Sequence, residues 1–234
     1  MPPQNANDGV NVAIFHRAGL FRGNWLNWEC FISQISNRLK FFLKMVAEKI
    51  ANVLQSRSPK NLTGDHYKLA AVLMPIQERD DGAHLVLTKR AEQLNHHRGQ
   101  VAFPGGRVDP DDRGELEAAL RESHEEIGID PSHVRVLGRL DQVTAAYDFV
   151  VTPFVGVIPP FYDFQLNPAE TDAVFSVPIA SLLEPTCLTI ADHLSSHGEP
   201  VYHFYCDGWD IWGATARMIV QFLALVYGYQ IKKL

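Results

Sequence analysis

The chain has 234 residues, 46% hydrophobic and 10% aromatic, with a net charge of −6; that is enough apolar material for one sizeable core plus an appendage, and it leaves no electrostatic footprint for nucleic acid. Its cysteines, Cys30, Cys187 and Cys206, are odd in number, widely spaced and without a Cys-x-x-Cys pair, which supports neither a disulfide framework nor a zinc site and suits a reducing, cytoplasmic setting. No apolar run reaches the roughly 18 residues of a membrane span, and the N-terminus lacks the basic start, apolar stretch and small-residue cleavage site of a secretory signal.

In chain order, residues 1–44 carry five basic against two acidic side chains and two of the four tryptophans, whereas the remainder is acidic. MPPQNANDG reads as disordered. Trp28, Phe31, Ile32, Ile35, Leu39, Phe42, Leu43 and Val46 then recur at helical spacing on towards Leu54, as one amphipathic helix or two. Such a helix packs on the core, packs on a second copy of the chain in a homodimer, or lies on a membrane surface; Met45 as the true start is a further reading. The Ser-, Pro-, Asn- and Gly-bearing stretch QSRSPKNLTGD closes this region. The chain therefore divides into an N-terminal extension, 1–64, and a main domain, 65–234.

That domain opens with two β-compatible runs, 68–77 and 84–88, separated by the turn ERDDG. Val101 to Phe103 predicts a short strand leading into a Gly105-Gly106 turn, where the missing Cβ lets a backbone approach a phosphate. From Glu115 to Ile127 strong helix formers carry an apolar stripe of Leu116, Ala119, Leu120 and Ile127, and Gly128 supplies a left-handed cap. Glu122, Glu125 and Glu126 stand at i, i+3 and i+4 and so share one face. Carboxylates that close repel by about 4 kcal/mol per pair at an effective dielectric of 20. Arg121 neutralises one charge, and a hard divalent cation, Mg²⁺ or Mn²⁺, suits the rest.

Beyond the helix, residues 134–140 and 149–158 predict strands, the second almost wholly apolar and hence central. Asn167 to Phe175 precedes a strand and short helix over 176–183, with Glu170 either an extra carboxylate for the cation or a capping or solvated group. Residues 199–206 form another strand, and 212–229 a closing helix whose aromatic and aliphatic stripe is core. His193 and His197 have i, i+4 spacing but flank a loop-like run, which makes them surface residues. There is no G-x-S-x-G elbow, no G-x-x-x-x-G-K-[ST] loop and no H-E-x-x-H pair.

Gly106-x5-Asp112-x8-Arg121-Glu122-Ser123-x-Glu125-Glu126-x-Gly128-Ile129 resembles the Nudix box, G-x5-E-x7-R-E-U-x-E-E-x-G-U, with U a bulky aliphatic. Asp112 replaces the first Glu, one extra residue precedes Arg121, and Ser123 stands at an aliphatic position. The first two departures, with Val86-Leu87-Thr88-Lys89-Arg90-Ala91, Gly99 and Phe103-Pro104-Gly105-Gly106 upstream, are similar to the coenzyme A pyrophosphatase branch; Asn95 stands where its signature has Arg. Trp212-Gly213-Ala214-Thr215-Ala216 also resembles that branch, so the likeness spans roughly residues 67–228.

The resemblance implies an α/β Nudix fold, a mixed β-sheet sandwiched between helices, here with an N-terminal helical extension. It implies a metal-dependent hydrolase of phosphoanhydride bonds whose partner is a small nucleotide diphosphate. Glu122, Glu125 and Glu126 would bind Mg²⁺ or Mn²⁺, with Glu122 or Glu125 the general base and Arg121 their orienting cation. Arg90, His97, Phe103, Gly105, Gly106 and Arg107 would contact substrate. Coenzyme A would yield 3′,5′-ADP and 4′-phosphopantetheine. ADP-ribose or a dinucleotide would suit the same machinery, and a non-catalytic nucleotide-binding module is the rival of another class.

Overall fold

Two apolar runs on either side of an acidic turn build the first hairpin. Strands β1 (Lys68–Arg79) and β2 (Gly82–Arg90) pair antiparallel, with Arg79 opposite Gly82. The turn is tighter than ERDDG predicts, because Glu78 and Arg79 continue the ladder and only Asp80-Asp81 bridges it. The computed structural model describes residues 46–64, 66–94 and 97–231, all within the compact unit Leu39–Leu234. The expectations for residues 1–45, including the amphipathic run from Trp28, lie outside the described residues.

Strands β3 (Val101–Ala102), β4 (Gly105–Arg107), β5 (Arg135–Arg139), β6 (Val143–Ala145), β7 (Phe149–Ile158) and β8 (Thr171–Pro178) complete a sheet with the first two. Its main path runs β3-β2-β1-β7-β5, while β4 pairs with β1, β6 with β7 and β8 with β2. The β1/β7 pair is parallel, from Lys68 opposite Phe149 to Gln77 opposite Ile158, and the other pairs are antiparallel, so the sheet is mixed. Strand β7 is buried along most of its length, as its apolar run predicts.

Alternation along β1 assigns the two faces of the sheet. Ala70, Met74 and Ile76 join one apolar cluster, which contains Ala47, Ile50, Ala51 and Leu54 of the helix over 46–55 (α1) and Ala216, Ile219, Phe222, Leu223 and Val226 of the closing helix α4 (Gly213–Tyr227). Ala71 and Leu73 face the other way, towards Ala118, Ala119 and Ile127 of α2 (Glu115–Ile127). Burying each Leu, Ile or Phe in these layers stabilises the fold by about 1.5–3 kcal/mol. A short helix, α3 (Ile179–Leu182), follows β8. A second sheet of three strands, β9 (Leu188–Leu194), β10 (Pro200–Cys206) and β11 (Trp209–Trp212), is ordered β11-β10-β9 and precedes α4. The fold is thus a mixed sheet between helices, as the resemblance implies. No helix among the described residues is long and apolar enough to cross a membrane.

Within the 55–64 segment, the Lys60 backbone N–H donates to Asp141 Oδ1 at 2.7 Å and that of Leu62 to Gln142 Oε1 at 2.8 Å. An Arg57–Asp141 ion pair adds to this tether. The linker is thereby held against the main sheet. Cys187 and Cys206, far apart in sequence, come together with their sulfurs 2.8 Å apart, both as free thiols.

Candidate active site

Helix α2 has the predicted bounds and ends at Gly128, which is left-handed at φ 73°. Its buried face is rotated from the predicted stripe: Ala118, Ala119, Ser123, Glu126 and Ile127 are buried, while Leu116 and Leu120 are only partly so. The small side chains let the helix lie close to the sheet. Ser123, at the aliphatic position of the box, is fully buried and donates its hydroxyl to the Ala119 carbonyl at 2.6 Å, so its polarity is satisfied within the helix.

The Gly105-Gly106 pair, expected as a turn, is itself strand β4, with Gly106 opposite Ala71. A Cβ on Gly106 would stand 2.4 Å from the Glu122 carboxyl carbon, and one on Gly105 would stand 2.3 Å from the Ala71 carbonyl oxygen. Glycine at these positions allows carboxylate, strand and helix to approach so closely. The Gly105 N–H donates to Glu126 Oε2 at 3.2 Å.

Arg121 organises the carboxylates. It grips Asp112 with two parallel bonds of 2.9 and 3.0 Å, donates to Glu122 Oε1 at 3.0 Å and Glu125 Oε2 at 3.1 Å, and reaches the Arg107 carbonyl at 3.2 Å. Such bidentate, charge-assisted bonds are among the stronger ones in proteins. The bond to Arg121 holds the Asp112 carboxyl below the usual carboxylate range, and Arg121 is raised in turn, chiefly by Asp112. An aspartate at this place of the box therefore still anchors the arginine.

Glu122, Glu126 and Glu170 each offer an oxygen within 4.8 Å of the others. Glu170 arrives from the 167–170 loop, where its carbonyl accepts from the Ala91 N–H at 2.9 Å and its carboxylate from Asn167 Nδ2 at 3.2 Å. Burial pushes the Glu126 carboxyl up to about 7, with Glu122 and Glu170 adding to the rise against Arg90 and the Gly105 N–H. Burial also raises Glu122. Three converging carboxylates with oxygen-only donors fit a hard divalent cation, which relieves both their repulsion and their desolvation. Of the predicted metal set, Glu122 and Glu126 meet here, joined by Glu170. Glu125 is exposed and hydrogen-bonded to the arginine that also holds Glu122.

The predicted substrate contacts, Arg90, His97, Phe103, Gly105, Gly106 and Arg107, line one cavity of about 600 Å³ beside this patch. Arg90 Nη1 lies 3.5 Å from Glu126 Oε1, and its buried Nε has no hydrogen-bond partner among the described residues. His97 meets the Tyr147 ring edge-on at 5.5 Å and Gln100 Oε1 at 2.8 Å. Asn95 and His96 lie outside the described residues. The cavity also takes in His193 and His197, which are exposed in the β9–β10 hairpin as predicted yet line the site, and Trp212, Thr215 and Arg217 around the start of α4. Sequence reasoning assigned none of these to the site.

A family model described as NUDIX domain matches residues 67–193. The uncharacterized Nudix hydrolase NudL of Photorhabdus laumondii is 39% identical over 170 residues, covering 72% of this chain and 90% of that protein. Its namesake in Yersinia pestis is 40% identical over 176 residues, covering 71% and 86%. A solved structure, the MutT/nudix family protein from Enterococcus faecalis, aligns with a TM-score of 0.47 at 13% identity, covering 74% of this chain and 66% of that one.

Proposed function

The chain belongs to the Nudix family and is a pyrophosphohydrolase, and we propose that its substrate is coenzyme A or a derivative, cut at the diphosphate to 3′,5′-ADP and 4′-phosphopantetheine. The observation that carries this reading is the junction of the Glu122, Glu126 and Glu170 patch with a cavity lined by residues of the coenzyme A signature, Arg90, Phe103, Gly105 and Gly106. The hydrolase domain in this reading spans 65–234, with residues 1–64 as its extension.

Glu122, Glu126 and Glu170 would hold a Mg²⁺ or Mn²⁺ ion, and Glu125, linked to Glu122 through Arg121, would add its carboxylate to the set. Such an ion supplies Lewis-acid neutralisation of the diphosphate and acidifies the attacking water. The rest falls to the chain. Arg90 and Arg107, which line the cavity, bind diphosphate oxygens through their guanidinium groups, while the side-chain-free Gly105-Gly106 backbone lets them approach. Arg121 keeps Glu122 and Glu125 in orientation, and one of these two takes the proton as water oxygen attacks phosphorus and the bridging P–O bond breaks. His97 and Phe103 close the side of the cavity. The odd number and wide spacing of its cysteines, without a Cys-x-x-Cys pair, suit a reducing compartment, and the chain is read as cytoplasmic on that ground.

Asn95, standing where the signature has Arg, favours a second reading in which ADP-ribose or a dinucleotide is preferred by the same machinery. Hydrolysis of coenzyme A, ADP-ribose and a dinucleotide side by side, with Mg²⁺ or Mn²⁺, separates the two. Highest kcat/KM for coenzyme A, with 3′,5′-ADP released, is the expected result. Preference for another diphosphate would replace the substrate but keep the mechanism.

A further inference from the structure

The three-stranded sheet ends in an exposed indole at the cavity, and the sequence offers no reason of packing for it. Trp212 closes β11, is 42% exposed and lines the cavity beside Gly105-Gly106. In the β10/β11 register it lies opposite His203, whose imidazole is nearly parallel to it, with centroids 6.0 Å apart and planes 10° apart. Tyr205 continues the row, 5.8 Å from His203 and 12° from parallel. His203 is fixed in turn by Asp210, Nδ1 to Oδ1 at 2.9 Å. The result is a row of three aligned rings along one face of the sheet, of which Trp212 alone lines the cavity.

An aromatic ring held by a parallel neighbour on one side, and open to a ligand cavity on the other, is a platform for a further flat ring. Leu194, an apolar residue 62% exposed in the β9–β10 hairpin, lines the same cavity farther along the sheet. The pantetheine arm of the proposed substrate is flexible and has no flat face. Its purine has two.

We propose that Trp212 is a specificity-determining residue that stacks on the adenine ring of the substrate, with the His203–Tyr205 row holding the indole in place. This rests on the reading of the substrate as an adenine nucleotide diphosphate, and it adds the residue that selects the base. The row selects purine over pyrimidine, because the larger ring covers more of the indole.

The test is calorimetric titration of the intact chain with 3′,5′-ADP and with UDP, alongside Trp212→Ala and Trp212→Phe, and KM for coenzyme A in the same three proteins. Base–aromatic stacking sets the expected size: about tenfold or more weaker 3′,5′-ADP binding in Trp212→Ala, a matching rise in KM, a smaller loss for UDP, and recovery in Trp212→Phe. Equal 3′,5′-ADP affinity in the intact chain and Trp212→Ala would overturn the inference while leaving the hydrolase reading untouched. Equal loss for UDP and 3′,5′-ADP, without recovery in Trp212→Phe, would also overturn it, by marking a structural role. Failure of the intact chain to cleave coenzyme A would instead strike the substrate assignment, and the 3′,5′-ADP titration would still decide the stack.

Discussion

The carboxylate helix packs on Gly105-Gly106, which line the cavity that the three-stranded sheet also borders, but helix and sheet are built from different kinds of information. In α2 the functional groups lie within five residues, and the helical repeat alone places Glu122, Glu125 and Glu126 on one face. In the sheet, His193 and Leu194 come from β9 and Trp212 from β11, and they reach one cavity only through the pairing of β9, β10 and β11. Chemistry common to a family sits in the first region, where local geometry preserves it; on the role proposed for Trp212, selection among substrates falls to the second, where a change in one strand alters the wall and leaves the carboxylates alone.

Substitutions in the first region should therefore strike catalysis hardest. Glu122→Gln is expected to lower kcat with coenzyme A about 10³-fold, within the range for losing a positioned acid–base or charge-stabilising group, equivalent to about 4 kcal/mol. Steady-state kinetics beside Glu125→Gln assigns the general base, since the variant that keeps its metal affinity but loses kcat has lost the proton acceptor. A drop in KM alone would contradict both roles.

The pH dependence of stability isolates Glu126. Burial holds its carboxyl at about 7 against an ordinary 4.5, so between those values the folded chain binds more protons than the unfolded one. Metal-free stability contributed by this group is thus full below pH 4.5 and is lost as pH rises through 7, by about 3 kcal/mol. Urea denaturation in chelator should show that fall in the intact chain and a flatter profile over the same window in Glu126→Gln. Added Mn²⁺ should restore stability at pH 7 and above in the intact chain only.

Gly106→Ala tests the close approach of strand and helix. Its Cβ would meet the Glu122 carboxyl carbon at 2.4 Å, and displacing that carboxylate by about 1 Å is expected to cost about 10² in kcat/KM with the fold retained by circular dichroism. Smaller still is the effect on stability of Arg121→Ala, which leaves Asp112 without its two bonds and releases Glu122 and Glu125. A loss of about 2 kcal/mol in urea midpoint analysis is expected, and it should shrink on adding Mn²⁺.

The same contrast explains what could be read before folding. Helix α2, the β1/β2 hairpin and the apolar β7 follow from periods of 3.6 and 2 with turn residues at their ends. The helix face was less legible: a hydrophobic stripe predicts Leu116 and Leu120 inward, but the small Ala118 and Ala119 are the ones that pack on Ala71 and Phe154 of the sheet, with Ser123 buried beside them. The joining of Glu170 to the patch depends on β8 pairing with β2, from Arg90 opposite Thr171 onward, a contact between distant segments that no local pattern encodes. Strands β9 and β11 are short and largely exposed, which blurs any alternation. One signal for that sheet does stand in the sequence, Asp207-Gly208 between two aromatic-rich stretches. Both residues have positive φ, 50° and 82°, as a two-residue hairpin turn requires.

The most direct test of the central claim is the rate of coenzyme A hydrolysis by the intact chain and by Glu126→Gln, at pH 8 with saturating Mn²⁺. Release of 3′,5′-ADP by the intact chain and a loss of at least about 10²-fold in the variant are expected. Equal rates in the two proteins would contradict the claim, placing the hydrolytic site away from Glu122, Glu126 and Glu170.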